Sequence, residues 1–262
     1  MMPMPAQTID DVIRSLDGII DWAWDQNSRN GYFAALYRRV TRAVKDGIAQ
    51  GRFQNGPRIE ALDVNFANRY LQAFEQFRAG QEPTLSWRVA FQAASRWYPI
   101  VVQQLLAGIN AHINLDLGIA AAQTAPGDQL PGLQTDFNQI NTVLAELVGT
   151  VEKEIGEISP LIGLLQKFGL RTEAQIINFN MTIARDAAWN VAVNLASTSP
   201  GQMEAAIAEV VLRTGLLGKV VVSPPLLVKL KLLPIRVFEN NHIRRVLDVL
   251  ARTEPARAAV SA

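Results

Sequence analysis

Apolar residues recur at three- and four-residue spacings along almost the whole chain. Ile9, Val12, Ile13, Leu16, Ile19, Ile20 and Ala23 form one such row, and Ile59, Leu62, Phe66, Tyr70, Phe74 and Phe77 another. No alternation of useful length marks a strand. The spacing predicts helices over about 8–26, 30–49, 58–79, 85–97, 99–123, 131–156, 160–168, 173–196, 200–215 and 240–252. Start signals agree with it: Thr8 with Asp11, Thr172 with Gln175 and Ser199 with Gln202 have the N-cap and third-position pairing, and Pro160 and Pro200 follow serines as first-turn prolines do. The connections at Gly51–Pro57, Gln123–Pro131 and Ser197–Gly201 are short and carry turn residues. The pattern therefore implies an all-α, single-domain bundle of about ten helices. A helical core would cover 1–217, with 218–262 packed on the same domain as a basic and apolar C-terminal segment. That segment mixes Val, Leu and Lys with Pro224, Pro225 and Pro234, and its pattern predicts no element.

Composition narrows the function classes. Hydrophobic residues make up 49% and charged residues 19% of 262, which suits a substantial buried core rather than disorder. A net charge of +1 argues against a general nucleic-acid binder. With no cysteine, disulfides, thiolate catalysis, iron–sulfur clusters and Cys-ligated zinc all drop out. Met1 to Pro5 run into the acidic pair Asp10 and Asp11 instead of an apolar signal core, so a cytoplasmic protein is expected. The apolar runs Ile100–Ala122 and Leu216–Phe238 are interrupted by polar, basic or proline residues, so no transmembrane span is expected.

Two predicted core helices carry polar residues where apolar ones would be cheaper. The stretch 173–196 is apolar nearly all round, which predicts a central helix. Against that background Asn178, Thr182, Asp186 and Asn190 follow one another four apart, with Arg185 alongside. In the stretch 99–123, His112 and Asp116 share a face and Asn110 and Asn114 form a neighbouring pair. A buried carboxylate needs a cation, strong donors or a wet cavity. One reading is a hydrogen-bonded or ion-paired network between helices. The other is a pocket in which His112, Asp116 and Asp186 ligate a divalent metal, His112 serves as ligand or general base, and Arg185 meets an anion. Asp63 and Arg69 are secondary binding candidates. The second histidine, His242, stands beside Arg244 and Arg245 and reads as a surface residue, as does the ladder Asp17, Asp21 and Asp25.

The strings Gly31-Tyr-Phe-Ala-Ala-Leu-Tyr-Arg-Arg-Val, Phe66-Ala-Asn-Arg-Tyr, Gly108-Ile-Asn-Ala-His-Ile-Asn-Leu-Asp-Leu-Gly and Ala184-Arg-Asp-Ala-Ala-Trp together resemble an uncharacterised actinobacterial family, a domain of unknown function, over about residues 15–196. More locally, Asn178-Phe-Asn-Met-Thr182-Ile-Ala-Arg185-Asp186 is similar to the magnesium triad of class I terpene synthases, which are also all-helical. That likeness implies magnesium held against a substrate diphosphate. Three functions are thus expected. One is a metal-dependent hydrolase of an ester or phosphoester, using Zn, Mn, Fe or Mg. A second is a lyase or cyclase acting on a prenyl diphosphate, with an apolar cavity lined by Trp97, Phe179 and Trp189. The third is a non-catalytic binder of a small molecule, a partner or a membrane surface. Five basic and no acidic residues between Val210 and Phe238 make 218–238 the candidate for surface or self-association contacts.

Overall fold

The computed structural model describes residues 4–162 and 181–252, and every regular element among them is helical. The first four helices are α1 (Ile9–Asp25), α2 (Gly31–Ala49), α3 (Gly56–Arg78) and α4 (Leu85–Ala94). Next come α5 (Val101–Ala111), a π-helical stretch His112–Leu117, α6 (Gly118–Thr124) and α7 (Leu130–Ile158). After the undescribed residues follow α8 (Met181–Ser197), α9 (Pro200–Val222), α10 (Leu226–Phe238) and α11 (Ile243–Leu250).

Local chemistry accounts for the boundaries. Thr8 and Asp11 close a capping box at α1: the Asp11 amide donates to Thr8 Oγ1 at 3.2 Å and the Thr8 amide donates to Asp11 Oδ2 at 2.9 Å. Asn55 caps α3 through the Arg58 amide at 3.0 Å, with Pro57 in the first turn. At α9 the Ser199 hydroxyl turns instead to Gln202 Oε1. Thr172 and Gln175 lie outside the described residues, as does most of the helix expected at 160–168.

Three of the sequence's expectations change. The expected single helix over 99–123 is divided by the π-helical stretch, and the segment after Leu217, where no element was predicted, is helical through Val222 and again in α10. The described part of the helix expected at 173–196 is not buried all round. Ala184, Arg185, Ala188, Val191, Ala192 and Leu195 form its buried row, while Ile183, Asp186, Asn190 and Val193 face outward. Its small alanines suit a close helix–helix contact, so one side is enough to seat it.

The rod formed by α5, the π-stretch and α6 lies at the centre, in contact with α2, α3, α4, α8 and α9. Val101–Thr124 is long and apolar enough to cross a membrane, but 78% of the relevant window is buried within the protein, as expected of a core helix. Glycine sets how closely two neighbours approach this rod. At Gly108 a Cβ would lie 2.6 Å from the Phe33 ring, and at Gly118 one would lie 2.7 Å from the Ala188 carbonyl oxygen. Ordinarily a helical Gly→Ala change gains about 1 kcal/mol. Here Gly118→Ala is expected to reverse that sign and cost about 1–3 kcal/mol, because the clash is with backbone. Urea denaturation would read the difference, and a stabilised variant would contradict this packing.

Candidate functional site

A cavity of about 320 Å³ opens between α2, α3, the central rod, α7 and α8. Its wall is mainly apolar and includes Val44, Ile59, Leu62, Phe66, Ile113, Leu117, Ile140 and Leu144. Tyr37 and Arg39 from α2, Asp63 from α3, His112 from the π-stretch, Asn141 and Glu152 from α7 and Arg185 from α8 line this apolar space. Mainly apolar walls with a few converging polar groups are the usual make-up of a small-molecule site.

Those polar groups are poorly satisfied. Asp63 Oδ2, both ring nitrogens of His112, Asn141 Oδ1, Arg39 Nη2 and Arg185 Nε are buried and make no hydrogen bond. Orphaned atoms of this kind are rare in folded proteins and costly to keep. Burial, with help from the Glu60 charge, pushes the Asp63 carboxyl up to about 7. Burial likewise raises the Tyr37 phenol well above its ordinary value, with the Asp63 charge adding to it. For His112 burial dominates and lowers the imidazole, against an opposing pull from Asp116. Phe66 stacks on the imidazole at 3.5 Å between ring centroids, and Tyr37 packs edge-on at 4.3 Å.

Arg185 is the unusual member. Its side chain is buried, its Nη2 donates to the Phe137 carbonyl at 2.7 Å, and its guanidinium lies 4.4 Å from the centre of the Phe137 ring. Burial lowers it to about 10, so it stays cationic at neutral pH. No carboxylate among the described residues comes within ion-pair distance of it. The buried Arg39 guanidinium, by contrast, is paired with Glu154.

The other expected site residues distribute differently. Asp116 faces donors on two helices: Arg69 Nε donates to Oδ1 at 2.9 Å and Trp87 Nε1 donates to Oδ2 at 2.8 Å. His112 Nδ1 is 3.7 Å from Oδ2, too long for a hydrogen bond. Arg69 also borders a separate, more polar hollow with Asn65, Asn68, Gln72 and Arg78. Asn110 and Asn114 serve the contact with α9. Asn110 Nδ2 donates to the Thr214 carbonyl at 3.0 Å, and Asn114 Nδ2 donates to Asn110 Oδ1 at 3.0 Å. Asp186 and Asn190 lie on the exposed arc of α8, so the expected buried polar stripe is there an outward one. Asn178 lies outside the described residues, and Thr182 sits in the first turn of α8. Among the described residues no three His, Asp or Glu side chains gather as a metal-binding group. His242 is exposed, and Asp17 pairs with Arg38 and Arg42.

The aromatic residues expected around a cavity are also elsewhere. Trp97 is 57% exposed under Arg236, Trp189 packs half-buried on Phe137, and Phe179 lies outside the described residues. The aromatic wall is instead Phe33, Tyr37 and Phe66. Tyr37 and Asn141 were not candidates. Tyr37 shares the α2 string with Arg39, but no local pattern distinguishes a cavity tyrosine from a core one.

Removing the Asp116 carboxylate would leave Arg69 and the Trp87 N–H without their acceptor. Asp116→Ala should therefore cost about 3–5 kcal/mol, measured by urea denaturation, and a loss below about 1 kcal/mol would remove its anchoring role. Asp63 carries a pH signature. Its folded value of about 7 lies above the ordinary 3.8. Between those values the folded chain holds a proton that the unfolded chain has lost, so stability falls as pH rises through this window and levels off above it. Asp63→Asn should abolish that decline and be the more stable chain above pH 7. Parallel stability–pH curves for the two proteins would refute this.

No curated protein and no solved structure matches the chain. A family model does match, spanning residues 9–224, and so covers the central rod, the cavity and the whole of α9. The chain belongs to a family of unknown function, DUF5995.

Proposed function

We propose that the cavity binds a small, largely apolar molecule bearing a carboxylate or comparable anionic head. The observation that carries this reading is Arg185, a buried cation at the wall of an apolar cavity with no ion-pair partner among the described residues. A buried guanidinium with no carboxylate at ion-pair distance is expensive, and an anionic head group would supply a close counter-charge together with an acceptor for its unbonded Nε–H. The apolar body would lie among Leu62, Phe66, Ile113, Leu117 and Ile140. Neutral His112, together with Asn141 and Asp63, offers hydrogen bonds to further polar groups of the ligand. A volume of about 320 Å³ falls at the lower end of the usual range for such sites.

The geometry gives less support to water activation on a divalent metal by His112, Asp116 and Asp186. Asp116 is already neutralised by Arg69, and Asp186 points outward from α8. The same outward position weakens the prenyl-diphosphate reading of Asn178, Thr182 and Asp186.

Medium-chain saturated carboxylates and the alcohols of equal length make a direct test by calorimetry and thermal shift. The carboxylates should bind and raise the melting temperature more than the alcohols. Arg185→Met should weaken carboxylate binding at least about tenfold, near 1.4 kcal/mol, while leaving the ligand-free chain as stable as the original or more so. Failure of carboxylates to bind, or equal binding by the variant, would overturn the reading. A variant that is simply less stable would mark Arg185 as structural.

A further inference from the structure

We infer that α10 is a docking face for an anionic lipid surface, an interaction that stands independently of the cavity. Leu226, Leu230, Leu233 and Val237 fall four, seven and eleven residues along one face of this helix, and they are between 43% and 71% exposed. Leu227 and Phe238 extend the apolar area beside them, at 71% and 67% exposed. The opposite side is the one that folds the protein, since Leu232 and Ile235 are buried against Ile100. A soluble helix normally shows the reverse arrangement, with its polar side outward, and a contiguous apolar face of this kind marks an interaction site.

Charge selects the occupant. From Val210 to Phe238 the chain has five basic residues and no acidic one. Arg213 and Lys219 are exposed on α9, and Arg96 is exposed before α5. Lys229 stands half-buried beside the leucines, with its ammonium 5.0 Å from the Tyr98 ring centre and donating to Ser223 Oγ at 3.1 Å. Arg96 donates to the hydroxyl of the same tyrosine at 3.1 Å, so Tyr98 is flanked by two cations. Arg236 does not add to this field, because Glu239 and Asn241 hold it inside. Trp97, more than half exposed, borders α10 through the Arg236 guanidinium over its ring. Leucines in the acyl boundary, a tryptophan and tyrosine at the headgroup level and lysines reaching the phosphates are what an interfacial helix presents.

A second copy of the chain is the weaker candidate. A two-fold contact would set this face against itself, bringing cations together with no carboxylate in the segment to neutralise them, and lysine is depleted from protein–protein interface cores. At about 1.5 Å per residue the helix is also too short to span a bilayer, so it would lie in the interface plane.

Co-sedimentation of the full chain with phosphatidylcholine vesicles, with and without phosphatidylglycerol, tests the inference. Binding is expected only when phosphatidylglycerol is present, and it should weaken as salt is raised. Leu226→Asp with Leu230→Asp should reduce binding at least tenfold, and Lys219→Glu with Lys229→Glu should do the same. All four positions lie at or near the surface, so circular dichroism and the melting temperature should stay unchanged. Absence of binding by the folded chain, equal binding to uncharged vesicles, or binding indifferent to both double variants would overturn the inference. Light scattering supplies a further check: a dimer that Leu226→Asp with Leu230→Asp converts to monomer, without vesicle binding, would assign the face to self-association instead.

Discussion

A carboxylate inside an apolar bundle must be neutralised where it stands, and the arrangement around Asp116 depends on that requirement. Arg69 on α3 and the Trp87 indole on α4 both reach it, so a single side chain of the π-helical stretch ties two neighbouring helices to the central rod. Directional bonds of this sort fix rotation and register in a way that leucine packing does not. Gly108 and Gly118 act at either end of the same stretch by letting α2 and α8 approach closely. The local widening of the helix between them is where His112 and Asp116 are set, and such π-helical insertions are frequent at functional sites.

The buried ionisable groups then separate into two kinds. Asp116 with Arg69, Arg39 with Glu154 and Arg236 with Glu239 are ion-paired, and Asp136 accepts the Gln54 and Asn55 amides at 2.7 and 2.8 Å. These groups hold elements together. Asp63, His112 and Arg185 differ, for each is buried at the cavity without an ion pair at close range, with polar atoms unused and with its ionisation displaced by burial. If the purpose were stability alone, an apolar side chain would serve better at these positions. Retained costs of this kind gather where a site must be ready for something that is not part of the fold.

The fold was legible because helical periodicity is a local property, and the rows on α1 and α3 are complete enough to read directly. The π-stretch was not, since Leu115, Leu117 and Ile119 keep the segment apolar whichever helix type it adopts. The helix carrying Arg185 was misread as central because Ile183 and Val193 count as apolar, although they are 66% and 48% exposed. Spacing placed Asp186 beside Arg185 in one polar group, yet neighbours in sequence lie about 100° apart on a helix, enough to send one inward and the other to solvent. Asp63 and His112 were found from their apolar surroundings. Tyr37 and Asn141 join them only through the approach of α2 and α7, and a contact between distant segments has no local signal. α10 escaped because Pro234 and a continuous leucine content hide its periodicity, and its apolar side turns out to be the exposed one.

The ligand proposed for the cavity and the surface proposed for α10 share one chemical theme, seen from opposite sides of the solubility problem. An apolar molecule with an anionic head is sparingly soluble and partitions into lipid, where it adds negative charge to the surface. A cavity selective for such a molecule gains little from collisions in water if most of the ligand is held elsewhere. A positively charged, leucine-bearing helix would hold the chain at the surface where that ligand is concentrated, and the attraction would grow with the surface density of anionic heads. The two features need no shared residue to be coupled in this way. Effective concentration supplies the link, since confinement near a surface raises the encounter rate without altering any contact inside the cavity.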